Sequence, residues 1–316
     1  MESKNKKIIA LLPVKNESWI LPTYLSSMTK FADEIIALDD NSTDNSVKIL
    51  EEYGVKTITP PQSEKINMSE KRNLLLKAGR ESAGTHFIWL DADEIFSNDF
   101  IKNNGKEKIL NLNPGEKLSI RWIHLWKSTK EYLDDKKSPF GYIWKDFIVC
   151  DNENLDFENK ALSENRTPGN NSKMKKLKEK EGVVIHFQFS NWNKVQFKQA
   201  WYRCIELLEL KKDPRKINNT YSVTLDRKNL NIEPVPEKWS KNVKPHEETD
   251  AIWHFDAILN LFDKHGIQFF ESLDIWHIKE LKERFVKQTG REPIPQKYPN
   301  WLIKLNNIKN KLKNSL

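Results

Sequence analysis

Cysteine is scarce. The 316 residues hold only Cys150 and Cys204, far apart and without metal-type spacing, so neither a disulfide framework nor a zinc knuckle is expected, and a reducing cytosol suits the chain. Long apolar runs are missing as well. The run Ile8 to Val14 gives way at once to Lys15, Asn16 and Glu17, which predicts a buried strand rather than a signal peptide. Nothing later reaches the roughly 20 apolar residues of a membrane span. A cytoplasmic location follows, with any membrane contact peripheral on the inner face. There is no repeat at solenoid periods. The lysine run from Lys173 to Lys180 comes with no zinc-finger, RRM or KH signature, so it reads as a solvated loop and nucleic acid is not an expected partner.

What is present is charge of both signs, with 52 Lys and Arg against 45 Asp and Glu for a net of +7. That balance suits an anionic partner without choosing among nucleotide sugar, lipid headgroup and nucleic acid.

The first hundred residues alternate strand-like and helix-like segments, the pattern of βαβ units and a mostly parallel sheet. Strands are expected at Ile8 to Pro13, Glu34 to Leu38, Val55 to Thr59 and His86 to Leu90. Helices are expected at Glu17 to Phe31, at Asp44 to Tyr53 ahead of a left-handed Gly54, and from Ser69 to about Ser82. Further strands follow at Lys117 to Trp126, Tyr142 to Val149 and Gly182 to Phe189, with a polar loop at Asp151 to Lys180 and an amphipathic helix at Trp192 to Leu210. The expected organisation is a first domain over 1–210, with a nucleotide-binding half 1–95 and an acceptor half 96–210. A helical extension over 211–316 completes it. Its last stretch, Trp301 to Leu316, alternates Leu and Ile with lysines, which suits either an interfacial helix at anionic lipid or a helix packed on the domain.

Asp91 and Asp93 close the fourth strand two residues apart, so both carboxylates are expected on one side of the sheet. Asp39 and Asp40 close the second strand at the same carboxyl edge, where open α/β sheets bind ligands. Taken singly, strand-end aspartates cap the helix that follows. Three converging at one edge repel unless a cation lies between them, and a divalent ion shared with substrate phosphates answers that need.

Three segments carry a resemblance: Ile9 to Glu17 (IALLPVKNE), Leu38 to Asp44 (LDDNSTD) and Trp89 to Glu94 (WLDADE). In this order and spacing, over roughly residues 7–125, they resemble the family 2 glycosyltransferases. The resemblance implies a GT-A fold and an inverting displacement on a nucleotide-diphosphate sugar with Mn²⁺ or Mg²⁺. It implies a glycan or lipid-linked acceptor, as in surface glycan or lipopolysaccharide-type biosynthesis. It places Pro13, Lys15 and Glu17 at the base and ribose, Asp40 on the base, and Arg72 on the nucleotide. Asp91 would meet ribose or metal-bound water, and Asp93 the metal. Lys15 stands where the family often has an aromatic ring.

His186, at the end of a strand late in the domain, matches a position from which many GT-A enzymes take a further metal or diphosphate contact. The general base is expected from the polar stretch Asp151 to Lys180, because an inverting transfer needs a carboxylate opposite the leaving group. Glu164, within Leu162 to Pro168 (LSENRTP), is the choice, with Asp156 and Glu158 as rivals and Arg166 placed to orient it or to contact phosphate. Two other readings remain: a sugar nucleotidyltransferase, which would carry a Gly-rich, Arg-containing loop where this chain has Val14 to Ser18, and a non-catalytic basic nucleotide- or nucleic-acid-binding protein.

Overall fold

Ile8–Val14 forms strand β1, and its side chains are buried on both faces of the sheet. Ile8, Ala10, Leu12 and Val14 pack into one apolar cluster and Ile9 and Leu11 into another on the opposite side. A central parallel strand covered on both faces reads as a continuous apolar run, which is why this stretch of sequence is so legible. The computed structural model describes residues 5–60, 68–136, 138, 140–158, 166–169, 173–224, 230–241 and 253–298.

Helix α1 (Leu21–Met28) leads to β2 (Glu34–Asp39), α2 (Ser46–Glu52) to β3 (Lys56–Ile58) and α3 (Met68–Glu81) to β4 (His86–Ile88). β2 and β4 flank β1 in parallel and β3 pairs with β2 in parallel. Helix α3 lies close on this half because Gly79 has no side chain: a Cβ there would come within 2.6 Å of the Phe87 ring. Next come β5 (Glu94–Phe96), α4 (Asn98–Lys102), α5 (Gly105–Leu110), β6 (Lys117–His124), β7 (Glu131–Leu133), β8 (Ile143–Cys150), β9 (Met174–Lys176) and β10 (Val183–His186). The main sheet runs β3-β2-β1-β4-β8-β6-β10-β5, with β9 paired to β6. Its second half is mixed: β8 is antiparallel to β4 and β6, β10 parallel to β6, and β5 antiparallel to β10. This is an α/β architecture whose first half is a parallel sheet flanked by helices, as the alternating sequence pattern predicts.

The chain continues into α6 (Trp192–Glu209) and α7 (Pro214–Thr220), forms β11 (Ile232–Pro234) and α8 (Glu237–Ser240), and then α9 (Trp253–His265) and α10 (Lys279–Thr289). Two compact units result, Met1–Ser190 with Leu230–Thr249 and Asn191–Asn229 with Asp250–Leu316. The division therefore differs from the expected break at 210. Helix α6 groups with the second unit, while β11 pairs antiparallel with β7 in the first.

In the second unit Phe197, Ala200 and Cys204 of α6 are buried with Ile258 and Phe262 of α9, and with Phe270, Leu281 and Phe285. The sequence pattern points to Val195, Phe197, Trp201, Ile205 and Leu208 as the inward face; Val195 and Phe197 are buried, and Trp201, Ile205 and Leu208 are half-buried. The small Ala200 and Cys204 are buried with Phe197, and Trp201 and Leu208 pack against the same cluster. Among the described residues, no helix is long and apolar enough to cross a membrane. The stretch Trp301 to Leu316 lies outside the described residues.

Candidate active site

The carboxyl ends of β1 and β2 are in register, with Val14 beside Asp39. The chain then turns through two left-handed asparagines, Asn16 at φ 54° and Asn41 at φ 56°, a conformation that asparagine tolerates better than most residues. The loops they begin are tied together. The Asn16 N–H donates to Ser42 Oγ at 2.9 Å and the Thr43 N–H to Asn16 Oδ1 at 2.7 Å. The Glu17 N–H donates to Ser46 Oγ at 2.9 Å and the Ser18 N–H to Asp44 Oδ2 at 3.0 Å. Burial works against the Asp44 carboxylate, yet hydrogen bonds from Ser46 and Ser18 hold its pKa below the usual value. Asp39 is spent on the same structure, accepting the Ser42 N–H at 3.1 Å.

Asp40 is the member of the pair left for other work. Lys71 Nζ, from the first turn of α3, lies 2.8 Å from its Oδ2, and Lys15 Nζ lies 3.4 Å away. Lys71 is absent from the sequence reading, which names its neighbour Arg72. The Arg72 guanidinium sits 5.6 Å from the centre of the Phe157 ring. Glu17 accepts the Trp19 indole N–H at 2.6 Å, and Pro13 is half-buried beside Leu38 of β2.

The aspartates after β4 come together by a different route from the one expected. The strand ends at Ile88, and Asp91 to Asp93 form a turn in which the Glu94 N–H donates to the Asp91 carbonyl at 3.0 Å. Strand alternation therefore does not set their directions. The Asp91 side chain is 40% exposed and that of Asp93 only 7%. Between the turn and the sheet lies Glu94, fully buried, accepting the Asp91 N–H at 2.9 Å. Burial pushes its carboxyl up to about 8, against the pull of Arg166 and with a further push from Asp91 and Asp93.

Two groups from distant sequence complete the cluster. Arg166 pairs with Glu94 and, at 3.0 Å, with Asp91. Burial would lower its pKa, but Asp91 and Glu94 raise it above the usual value. His186 ends β10 directly opposite Glu94 in the antiparallel β5–β10 register, and its Nε2 stands 3.3 Å from Asp93 Oδ2. Its other nitrogen, Nδ1, lies 2.9 Å from Nδ1 of His124, its partner in the parallel β6–β10 register. Trp122 stacks on the His186 ring at 4.8 Å. Tyr24 of α1 is fully buried with an unpartnered hydroxyl, and burial plus the charges of Asp91 and Glu94 keep it protonated.

Of the expected metal set, then, Asp93 and His186 meet, while Asp91 faces Arg166. Among the described residues, no group of three or more His, Cys, Asp and Glu is arranged to hold a metal ion. Glu164 lies outside the described residues. Its rival Asp156 is 3.3 Å from Arg80, which also binds Asp151, and Glu158 is exposed. Sequence reasoning missed Glu94, His124 and Lys71. Glu94 could have been found, since it directly follows Asp93 in the quoted motif.

Residues 10–103 match the family described as Glycosyl transferase family 2. An uncharacterized glycosyltransferase of Rickettsia conorii is 37% identical over 60 residues, which are 19% of this chain and 21% of the relative. One from Rickettsia bellii is 38% identical over 60 residues, 19% of this chain and 20% of its own. The chain thus matches about a fifth of these relatives' length. Among solved structures, S. aureus TarS 1–349 has a TM-score of 0.37 at 13% identity, covering 90% of this chain and 92% of that one. Glucosyl-3-phosphoglycerate synthase from Mycobacterium tuberculosis, in complex with Mn²⁺, uridine-diphosphate and glucosyl-3-phosphoglycerate, has a TM-score of 0.29 at 19% identity, covering 38% and 44%.

Proposed function

We propose that the protein, whose residues 10–103 match the family described as Glycosyl transferase family 2, moves a sugar from a nucleotide-diphosphate donor to an acceptor hydroxyl by an inverting, metal-assisted displacement. The observation that carries this reading is the Asp93–His186 pair beside Asp91, at the carboxyl edge that also presents Asp40. Two ligands at right angles on an octahedral ion, each about 2.1 Å from it, are about 3 Å apart, and Asp93 Oδ2 and His186 Nε2 stand 3.3 Å apart. The pair therefore fits Mn²⁺ or Mg²⁺ completed by donor phosphates and solvent, rather than enclosed by protein. A bound ion supplies Lewis-acid charge to the departing diphosphate.

The chain's own residues do the rest. Pro13, Lys15 and Glu17 line the base and ribose, and Asp40 accepts a ring N–H of the base. Lys15, Lys71 and Arg72 add positive charge around the nucleotide. Glu164 takes the acceptor proton. The acceptor is a glycan or a lipid-linked glycan, in surface glycan or lipopolysaccharide-type biosynthesis, and the basic stretch Trp301 to Leu316 gives the chain peripheral contact with an anionic membrane from the cytoplasmic side.

The test is slow hydrolysis of a panel of nucleotide sugars, with Mn²⁺ and with EDTA, by the wild type and Asp93→Asn. One donor should be consumed only with Mn²⁺ and only by the wild type, while the variant keeps a near wild-type Tm. Full turnover in EDTA removes the metal from the reading. A protein that neither hydrolyses nor binds any nucleotide sugar refutes the transferase.

A further inference from the structure

The tightest charge contact at this edge joins protein groups to each other. Arg166 donates through Nη1 to Glu94 Oε2 and through Nη2 to Oε1, each at 2.6 Å, and the same Nη2 lies 3.0 Å from Asp91 Oδ2. The guanidinium is 4.5 Å from the centre of the Trp122 ring and 5.1 Å from that of Phe147, and its side chain is 13% exposed. The backbone behind it is held too: Lys117 Nζ donates to the Gly169 carbonyl, and the Gly169 N–H donates to the Asp156 carbonyl at 3.2 Å.

The two carboxylates hold Arg166 in unlike ways. Glu94 is sealed from water and takes both arms of the fork, the geometry that makes an arginine pair strong and directional. Removing one partner of such a buried pair strands the other. Asp91 is partly open to solvent and shares a single, already engaged donor, so its contact is the one that can be exchanged.

We propose that Arg166 is a resident cation that stays on Glu94 and holds Asp91 only until a divalent ion takes that carboxylate. The proposal rests on the reading of this edge as a metal-assisted site. Ion and guanidinium then compete for Asp91, a negative coupling that must appear in ion affinity. Once released from Asp91, Nη2 faces the edge where a donor phosphate sits, and phosphate is a natural partner for a guanidinium.

The experiment titrates the full chain with Mn²⁺ alone, reading free ion by electron paramagnetic resonance with no nucleotide present. Arg166→Lys keeps one charge but lacks the planar fork and cannot span both carboxylates. It should bind Mn²⁺ more tightly than the wild type, by about 5-fold or more, the lower end of ordinary coupling. Adding Asp91→Asn should erase that gain. Should Arg166→Lys fail to fold, the pair Glu94→Gln with Arg166→Gln removes both buried members and should show the same tightening. Unchanged or weaker Mn²⁺ binding in whichever variant folds, with or without a lower Tm, overturns the proposal, because a purely structural arginine would change stability alone. Asp93→Asn is titrated alongside. If it loses Mn²⁺ while Arg166→Lys gains nothing, only the Arg166 proposal fails. If it binds Mn²⁺ like the wild type, the metal-site reading fails with it.

Discussion

His124 and His186 meet Nδ1 to Nδ1 at 2.9 Å, so one of these nitrogens carries a proton and the other accepts it. His124 is neutral, since burial and then the nearby His186 and Arg166 hold its pKa well below the usual value. Its Nε2 is buried without a partner. An orphaned acceptor is tolerated better than an orphaned N–H, so the proton belongs on His124 Nδ1. Without an ion His186 then accepts at Nδ1 and donates from Nε2 to Asp93; an ion on Nε2 requires the reverse, with His186 donating from Nδ1 to His124 and Nε2 unprotonated. The two histidines thus form a short chain that ends at the proposed ion site.

The tautomer and tilt of His186 therefore depend on His124. His124→Phe should fill the space but remove the hydrogen bond, and loss of such a supporting partner costs roughly 10- to 100-fold in metal affinity. Mn²⁺ titration reads this directly. An affinity equal to wild type would show that His186 is oriented by Trp122 stacking alone, or does not bind the ion.

Asp40 and Lys71 should separate binding from turnover. Asp40→Ala should raise the donor KM far more than it lowers kcat, the pattern for lost uniform binding. Lys71→Ala should weaken donor binding in the same direction, because Lys71 lies 2.8 Å from Asp40 and holds it in place. Steady-state kinetics with the preferred donor decides. An unchanged KM in Asp40→Ala takes that carboxylate out of the base pocket.

Glu94 gives the fold a pH dependence of unusual sign. Its folded pKa is raised to about 8 by burial, with Arg166 pulling the other way, while an unfolded glutamate titrates near 4.3. As pH rises above the unfolded value the folded chain gives up this proton later than the unfolded chain does, before forming the ionised pair with Arg166, so this group's contribution to stability falls as pH rises from the unfolded toward the folded pKa. Glu94→Gln lacks this slope. Tm measured from pH 5 to 8.5 should decline more steeply in the wild type than in the variant, and parallel curves would dismiss Glu94 as the source.

Glu164→Gln keeps the shape of the side chain but removes the base. Transfer to acceptor should fall by roughly 10²- to 10⁴-fold while donor affinity holds, measured by single-turnover transfer and by nucleotide titration. Near wild-type transfer in this variant, together with loss in Asp156→Asn or Glu158→Gln, would reassign the base.

Much of the edge was legible because buried parallel strands announce themselves as apolar runs and the acids at their ends stand out. Asp40, Asp91 and Asp93 were found that way. Lys71 was missed because Arg72 came from the family resemblance, and the contact of Lys71 with Asp40 joins α3 to the end of β2, a long-range meeting that local sequence does not record. The Glu94–Arg166 pair spans 72 residues and leaves no local trace. The meeting of His186 with Asp93 depends on the antiparallel register of β5 and β10, which places His186 opposite Glu94. Such a register is set by tertiary packing and has no periodic signature.

The crossed hydrogen bonds between the β1 and β2 loops also bear on how a donor would be chosen. Asn16, Ser42, Thr43, Asp44 and Ser46 bind one loop to the other at several points, so neither can reshape around a ligand without dragging its neighbour. A nucleotide held there, as proposed, would meet a mould that is already set. Little ordering would remain to be done on binding, and a base of the wrong shape would be turned away by a wall that does not yield rather than by a loop that declines to close.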